Sequence, residues 1–414
     1  TRRRVSDTAQ ASFLLCPHPP PPAAADAAAH VGTRSPYGPS PPSSLPLHLP
    51  MTTAAHALAA AAALFLLLVA PAAEALGNAS PIAISHGTGT VTVCGVLAGP
   101  SLGSIQCARG NQSFPLLPNV SFASVSGGRD FLCGLRSGGS SFFLWNTGGN
   151  SSSGTDLRPK RLYNGRSPLE DLSVGEDHIC ASRNGTNVTC WRGEEGFPRA
   201  VDGEFRSLTS GDGFSCAIRV NSSQVCCWGR TGGLAREIQN GFENVSMCTI
   251  VAGDSHACGI RSDGLLLCKG RNESGQLNSP ASPPFQFSNL AMGLAHSCAI
   301  RQPNGTVVCW GGGNGRVAYQ PVNESFVWVV AGGNLTCGVT TLNYSVVCWV
   351  ADRSSPSPTT LPLPRVLPGV CKERSSCGSR GIFPDSQNLC SGSGVICESC
   401  DNSFVPPPPP PPPP

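Results

Sequence analysis

The stretch Gly253-Asp254-Ser255-His256-Ala257-Cys258-Gly259-Ile260-Arg261-Ser262-Asp263-Gly264-Leu265-Leu266-Leu267-Cys268-Lys269-Gly270 reads as a β-hairpin clasped by its own cysteines. Ser262-Asp263-Gly264 supplies turn residues that tolerate positive φ. Folded there, Cys258 faces Cys268. Ile260 faces Leu266 two residues further in, on the same side of the sheet. Directly opposed strand residues lie about 4.5–5.5 Å apart at Cα, within reach of a disulfide.

The same unit returns along the chain. Gly-x4-Cys opens seven times, at Gly89, Gly128, Gly175, Gly211, Gly253, Gly293 and Gly332, at a spacing of about 40 residues. A second cysteine follows in six copies, which predicts the disulfides Cys94/Cys107, Cys180/Cys190, Cys216/Cys227, Cys258/Cys268, Cys298/Cys309 and Cys337/Cys348. Inside them fall the apolar pairs Ile218/Val225, Ile260/Leu266, Ile300/Val307 and Val339/Val346. Closing an 11-residue loop contributes about 2.8 kcal/mol in the chain-entropy model, an upper figure because the hairpin already closes it. Copy two has Cys133 opposite Leu144, and Cys226 and Cys248 fall outside the pairs. Zinc is the rival for paired cysteines, but the spacing does not match a Cys-x2-4-Cys knuckle.

Gly-rich, turn-punctuated repeats of this period predict an all-β chain: a seven-bladed β-propeller of about four short strands per blade over residues 76–362. Composition agrees. Of 414 residues 48 are Gly, only 6% are aromatic and 13% charged, which favours short strands over long helices. A net charge of +3 points neither to a nucleic-acid binder nor to a basic membrane-surface protein. Twenty-one cysteines point to an oxidising compartment.

Two further positions recur. Trp145, Trp191, Trp228, Trp310 and Trp349 follow the second-cysteine position. They read as wedges between blades, with sugar stacking as the alternative. His178, His256 and His296 stand two residues before the first cysteine, where other copies carry Thr92, Phe131, Phe214 and Leu335. A position that accepts Phe and Leu reads as packing rather than metal binding or catalysis.

The flanks differ from the repeats. Residues 1–50 are proline-rich and aperiodic and read as disordered chain upstream of the translation start, with a transit peptide as the alternative. Residues 51–75 hold Met51, a short apolar run through Leu64-Phe65-Leu66-Leu67-Leu68-Val69 and the small-x-small site Ala73-Glu74-Ala75, which reads as a secretory signal peptide. Asn-x-Ser/Thr sequons at Asn78, Asn111, Asn119, Asn150, Asn184, Asn187, Asn221, Asn244, Asn272, Asn304, Asn323, Asn334 and Asn343 are the glycosylation candidates. Residues 363–401 form a segment rich in cysteine, with Cys371, Cys377, Cys390, Cys397 and Cys400, whose pairing the spacing leaves open. Residues 402–414 end in nine prolines, a stiff spacer. The longest insert, residues 147–170, carries Arg158, Lys160, Arg161 and Arg166 and reads as a solvated loop, with ligand binding as its sharper reading.

Gly253–Cys258 together with Lys269-Gly270-Arg271-Asn272-Glu273-Ser274-Gly275-Gln276-Leu277-Asn278 resembles the regulator-of-chromosome-condensation repeat. The segments Cys258–Gly264, Cys133–Gly138 and Cys227-Trp228-Gly229, behind a signal peptide, resemble the ectodomain of Crinkly-type plant receptor-like kinases over about residues 82–405. That resemblance implies a propeller and a cysteine-rich segment, followed in the family by one transmembrane helix and a cytoplasmic Ser/Thr kinase domain. No Gly-rich phosphate loop, Val-Ala-Ile-Lys or His-Arg-Asp motif stands in this chain.

The expectation is therefore an extracellular ligand- or partner-binding ectodomain, without a catalytic site or cofactor of its own. It would sit at the plasma membrane through a segment not in this chain, or be secreted. Its partner would be an unknown extracellular ligand or co-receptor. The alternative is a secreted propeller with a structural or lectin-like role. Guanine-nucleotide exchange, known for an intracellular relative, is disfavoured because a small GTPase would lie across the membrane. Fold does not fix function, so the reading rests on the family.

Overall fold

The computed structural model describes residues 79–398, except 89, 149–156, 184–186, 231–232, 314–317, 352–356 and 378–380. The leader, the proline run, Gly89, Asn78, Asn150, Asn184 and Cys400 lie outside the described residues.

Seven antiparallel sheets follow one another along the chain, each strand pairing with the next. They are the blades of a propeller. The innermost strands are Ile82–Ser85, Phe122–Gly128, Leu169–Val174, Phe205–Ser210, Met247–Ala252, Phe287–Met292 and Phe326–Gly332. The second and third strands of each blade form the cysteine hairpin. Its register opposes Ile218 to Val225, Ile260 to Leu266, Ile300 to Val307 and Val339 to Val346. Disulfides join Cys94 to Cys107, Cys180 to Cys190, Cys216 to Cys227, Cys258 to Cys268, Cys298 to Cys309 and Cys337 to Cys348. Their Cα atoms lie 3.9–4.1 Å apart, closer than opposed strand residues usually stand. In blade 2 Cys133 faces Leu144 and is buried and free. Cys226 and Cys248 are disulfide-bonded.

The expectation of four strands per blade holds only in part. Among the described residues blades 4, 5 and 6 have three. In blade 4 a helix, α1 (Leu234–Gly241), lies along the outer edge, and Gln239 Oε1 accepts the outward N–H of Cys227 at 2.8 Å. In blade 6 Gln320 Oε1 accepts the N–H of Cys309 at 2.8 Å. A side-chain amide thus does the work of a fourth strand, satisfying an edge donor. Blade 2 departs the other way. Pro159–Asn164, expected as part of a loop, is its outer strand.

The repeat glycines meet at the axis. A Cβ on Gly128 would overlap the carbonyl oxygen of Gly175, one on Gly175 that of Gly211, and one on Gly211 that of Gly253; on Gly253 it would lie 2.5 Å from that of Gly293. The backbones are joined there as well. Glu176 N donates to Gly211 O (3.2 Å), Asp212 N to Asp254 O (3.0 Å), Asp254 N to Gly293 O (3.3 Å) and Leu294 N to Gly333 O (2.8 Å). Blade 1 is the exception. Ala83 opposes Cys94 as Ser126 opposes Cys133, so counting two residues on places Ser85 where blade 2 has Gly128. Ser85 Oγ hydrogen-bonds Gly128 O instead.

The ring closes between blades 7 and 1 through the chain that leaves blade 7. Ala98 N donates to Arg365 O, and Leu367 N to Val96 O. Val366 is buried against Ile82, Ile84 and Val339. The cysteine-rich segment then packs on blades 1 and 2, with Leu389, Cys390 and Ile396 in one core with Ala83, Ile105 and Val125. Its disulfides are Cys371–Cys390 and Cys377–Cys397.

Gly211→Ala is expected to lower the stability of the propeller by about 1–3 kcal/mol, since backbone rather than a flexible side chain must yield; a urea midpoint equal to wild type would contradict this. Peptide mapping without reduction should recover Cys258 joined to Cys268 and Cys298 to Cys309. Cys133 should react with iodoacetamide only after denaturation, because full burial raises its thiol pKa far above the ordinary range.

Candidate functional site at the mouth of the channel

The five tryptophans are buried or half-buried between blades. Trp228 packs into Cys180, Val188 and Phe197 of blade 3, Trp310 into Ile260 of blade 5, and Trp349 into Ile300 of blade 6. Each reaches back to the preceding blade. Trp145, Trp228, Trp310 and Trp349 are buried, and Trp191 is half-buried against Phe142 and Tyr163.

The three histidines are buried and make a specific link. His178 Nε2 hydrogen-bonds Ser215 Oγ (2.8 Å), His256 Nε2 Ser297 Oγ (2.8 Å), and His296 Nε2 Thr336 Oγ1 (2.7 Å). Each partner precedes the first cysteine of the next blade, so imidazole and hydroxyl bridge successive blades. The packing role inferred from the sequence is incomplete, because a periodic pattern in one chain segment does not show the hydroxyl a repeat away.

Inside the ring is a central cavity of about 450 Å³. Inner-strand residues such as Ile84, Val174, Val251, Leu290 and Val330 line it. Trp328 and Asn289, with Val370 and Ile396 of the cysteine-rich segment, also line it. At the end where the inner strands finish, the residues that follow the ring carry charge: His86, Arg129, Glu176, Asp212 and Asp254.

These charges are unequally satisfied. Glu176 is only 7% exposed and takes His86 Nε2 on Oε1 at 3.1 Å and Arg129 Nε on Oε2 at 2.9 Å. Burial alone would raise its pKa, but the hydrogen bond and charge of His86, with Arg129, outweigh it and hold the carboxyl below its ordinary value. The hydrogen bond to Glu176 raises His86 in turn. Asp212 pairs with Arg230 at 3.1 Å. Asp254 has no hydrogen-bond donor or ion-pair partner on its carboxylate among the described residues. Burial, and then the charge of Glu176, push it up to about 6. His86, Glu176 and Asp254 bring one ligand-capable atom each to within 4.8 Å of one another. The sequence reading did not single them out.

The other candidates lie on the outside. Arg158, Lys160, Arg161 and Arg166 are exposed, two of them on the outer strand of blade 2. Asn111, Asn119, Asn221, Asn244, Asn272, Asn304, Asn323, Asn334 and Asn343 are exposed, while Asn187 is half-buried with its Oδ1 buried.

Comparison with known proteins agrees with this architecture. The regulator of chromosome condensation repeat matches residues 248–276. The serine/threonine-protein kinase-like protein CCR3 of Arabidopsis thaliana is 41% identical over 338 residues, covering 80% of this chain and 40% of that protein. The chain thus spans about 40% of the length of this curated relative. The crystal structure of the CRINKLY WD40 ectodomain of the Arabidopsis thaliana receptor kinase ACR4 superposes with a TM-score of 0.53 at 27% identity, covering 70% of this chain and 100% of that one. The entire ectodomain of the Physcomitrella patens receptor kinase CR4 superposes with a TM-score of 0.54 at 25% identity, covering 79% and 89%.

The buried histidines make stability depend on pH. Burial lowers His256 and His296 from 6.5 to about 4. Above about pH 6.5 both are neutral, folded or unfolded. As pH falls, the unfolded chain takes up protons first, so stability is lost between about 6.5 and 4, by up to about 3 kcal/mol per histidine. Melting temperatures should drop across this window and the drop should shrink in His256→Gln/His296→Gln; an unchanged profile in that variant would refute the assignment. In its repeat, its fold and its relatives, the chain resembles the ectodomain of the Crinkly-type receptor-like kinases.

Proposed function

We propose that this propeller is the extracellular ligand- or partner-binding module of a plant receptor-like serine/threonine kinase, with the kinase outside this chain. The superposition on two receptor-kinase ectodomains carries the reading. Its disulfides suit an oxidising compartment. The nine exposed sequon asparagines lie where glycans would be accommodated. Residues 51–75 would be removed as a signal peptide, and the cysteine-rich segment would lead to the membrane anchor. Among the described residues no helix is long and apolar enough to cross a membrane.

The test has two parts. Residues 76–414 expressed through a secretory pathway should shift in mobility with a glycosidase and show no ATP-dependent phosphotransfer. Sequencing the transcript past Pro414 should then reveal about 20 consecutive apolar residues followed by a kinase frame. A stop codon before either would replace the receptor by a secreted propeller. The absence of any glycosidase shift would count against the extracellular assignment.

A further inference from the structure

We propose that His86, Glu176 and Asp254 form a binding site for a divalent transition-metal ion of the zinc class at the mouth of the central channel. The three residues follow the inner strands of blades 1, 3 and 5, so one ion there would tie alternate blades across the opening. Their ligand-capable atoms already converge within 4.8 Å. His86 Nε2 and Glu176 Oε1 stand 3.1 Å apart, a separation suited to two donors held at about 2.0–2.2 Å on one ion.

The surrounding contacts are those a metal site needs. Arg129 occupies Oε2 of Glu176 and leaves Oε1 facing His86, as outer-shell partners orient a ligating carboxylate. Asp254 supplies the charge argument. Its carboxylate lies close to that of Glu176 and has no hydrogen-bond donor or ion-pair partner among the described residues. The ion pair of His86 and Arg129 with Glu176 serves as an inter-blade clasp but gives the Asp254 carboxylate no direct partner, and a cation between the two carboxylates would bridge them. One imidazole with two carboxylates is a donor set for zinc or manganese, whereas calcium selects oxygen alone. Three protein ligands leave coordination positions open toward the channel for water or a donor atom of a bound partner.

The site does not depend on the receptor reading, and its failure would leave that reading standing. The test uses the secreted, disulfide-intact protein stripped with chelator and titrated with Zn²⁺ alone by calorimetry at pH 7.5, with melting temperature as a second readout. One ion per chain should bind and raise the melting temperature. Asp254→Asn removes a direct ligand and should weaken binding by at least about 100-fold, beyond what loss of an outer-shell partner costs. That variant should fold, because it removes a carboxylate without a partner, and the melting temperature of the metal-free variant verifies this. Asp212→Asn, at the same mouth but paired with Arg230, should bind as wild type. Binding should weaken as pH falls, because protons compete with the metal for the imidazole and the carboxylates. No saturable binding by the wild type, or equal affinity in Asp254→Asn, would overturn the proposal.

Discussion

Seven strand ends can meet around one axis only if their backbones come close, and in blades 2 to 6 they do so at glycine. From Gly128 to Gly253 each ring glycine faces the carbonyl of the next, at a separation that leaves no room for a Cβ. The rings of Phe131, His178, Phe214, His256 and His296 pack against the same glycines from within each blade. Each glycine is thus pressed by a neighbouring backbone on one side and a ring on the other. A blade cannot move outward without breaking the interblade hydrogen bonds at this level, so the contact sets both the tilt of the blades and the diameter of the channel.

Outward from the ring the chain has little bulky apolar material, and covalent bonds replace it. In blades 4 to 7 an apolar pair lies two residues from the disulfide toward the turn, and in blades 3, 4, 6 and 7 a tryptophan follows the second cysteine. Blade 2 shows what the bond substitutes for. There Leu144 faces Cys133, and Phe131, Leu135 and Phe142 fill the same core. That blade is richer in large side chains and dispenses with the cross-link, as expected if disulfide and apolar burial contribute interchangeably to hairpin stability.

The mouth of the channel follows from the ring. The residue after each ring glycine of blades 2 to 6 lies just past the inner strand, free of the packing constraints that fix the glycine. Arg129, Glu176, Asp212 and Asp254 use that freedom, and the burial of Glu176 and part-burial of Asp254 strengthen the interaction of their charges. Val370 and Ile396 of the cysteine-rich segment add to the lining of the cavity.

Period, glycine spacing and cysteine register determined the seven blades and the hairpins, because a β-hairpin is local and its side chains alternate by a rule of two. The tryptophan wedges were legible too, since a large ring repeated once per blade has one place to go. Arg129, Glu176, Asp212 and Asp254 follow directly after repeat glycines, so a reading of that position could have found them. His86 could not be found this way, because the turn of blade 1 is longer and Ser85 stands where a glycine was expected. The helix α1 was hidden for a related reason: Gln239 replaces a strand through one side-chain hydrogen bond, which leaves no periodic trace. Only the closed ring decided which charges face one another, because residues 86, 176 and 254 are far apart in sequence and are neighbours solely through the curvature that the seven blade contacts impose.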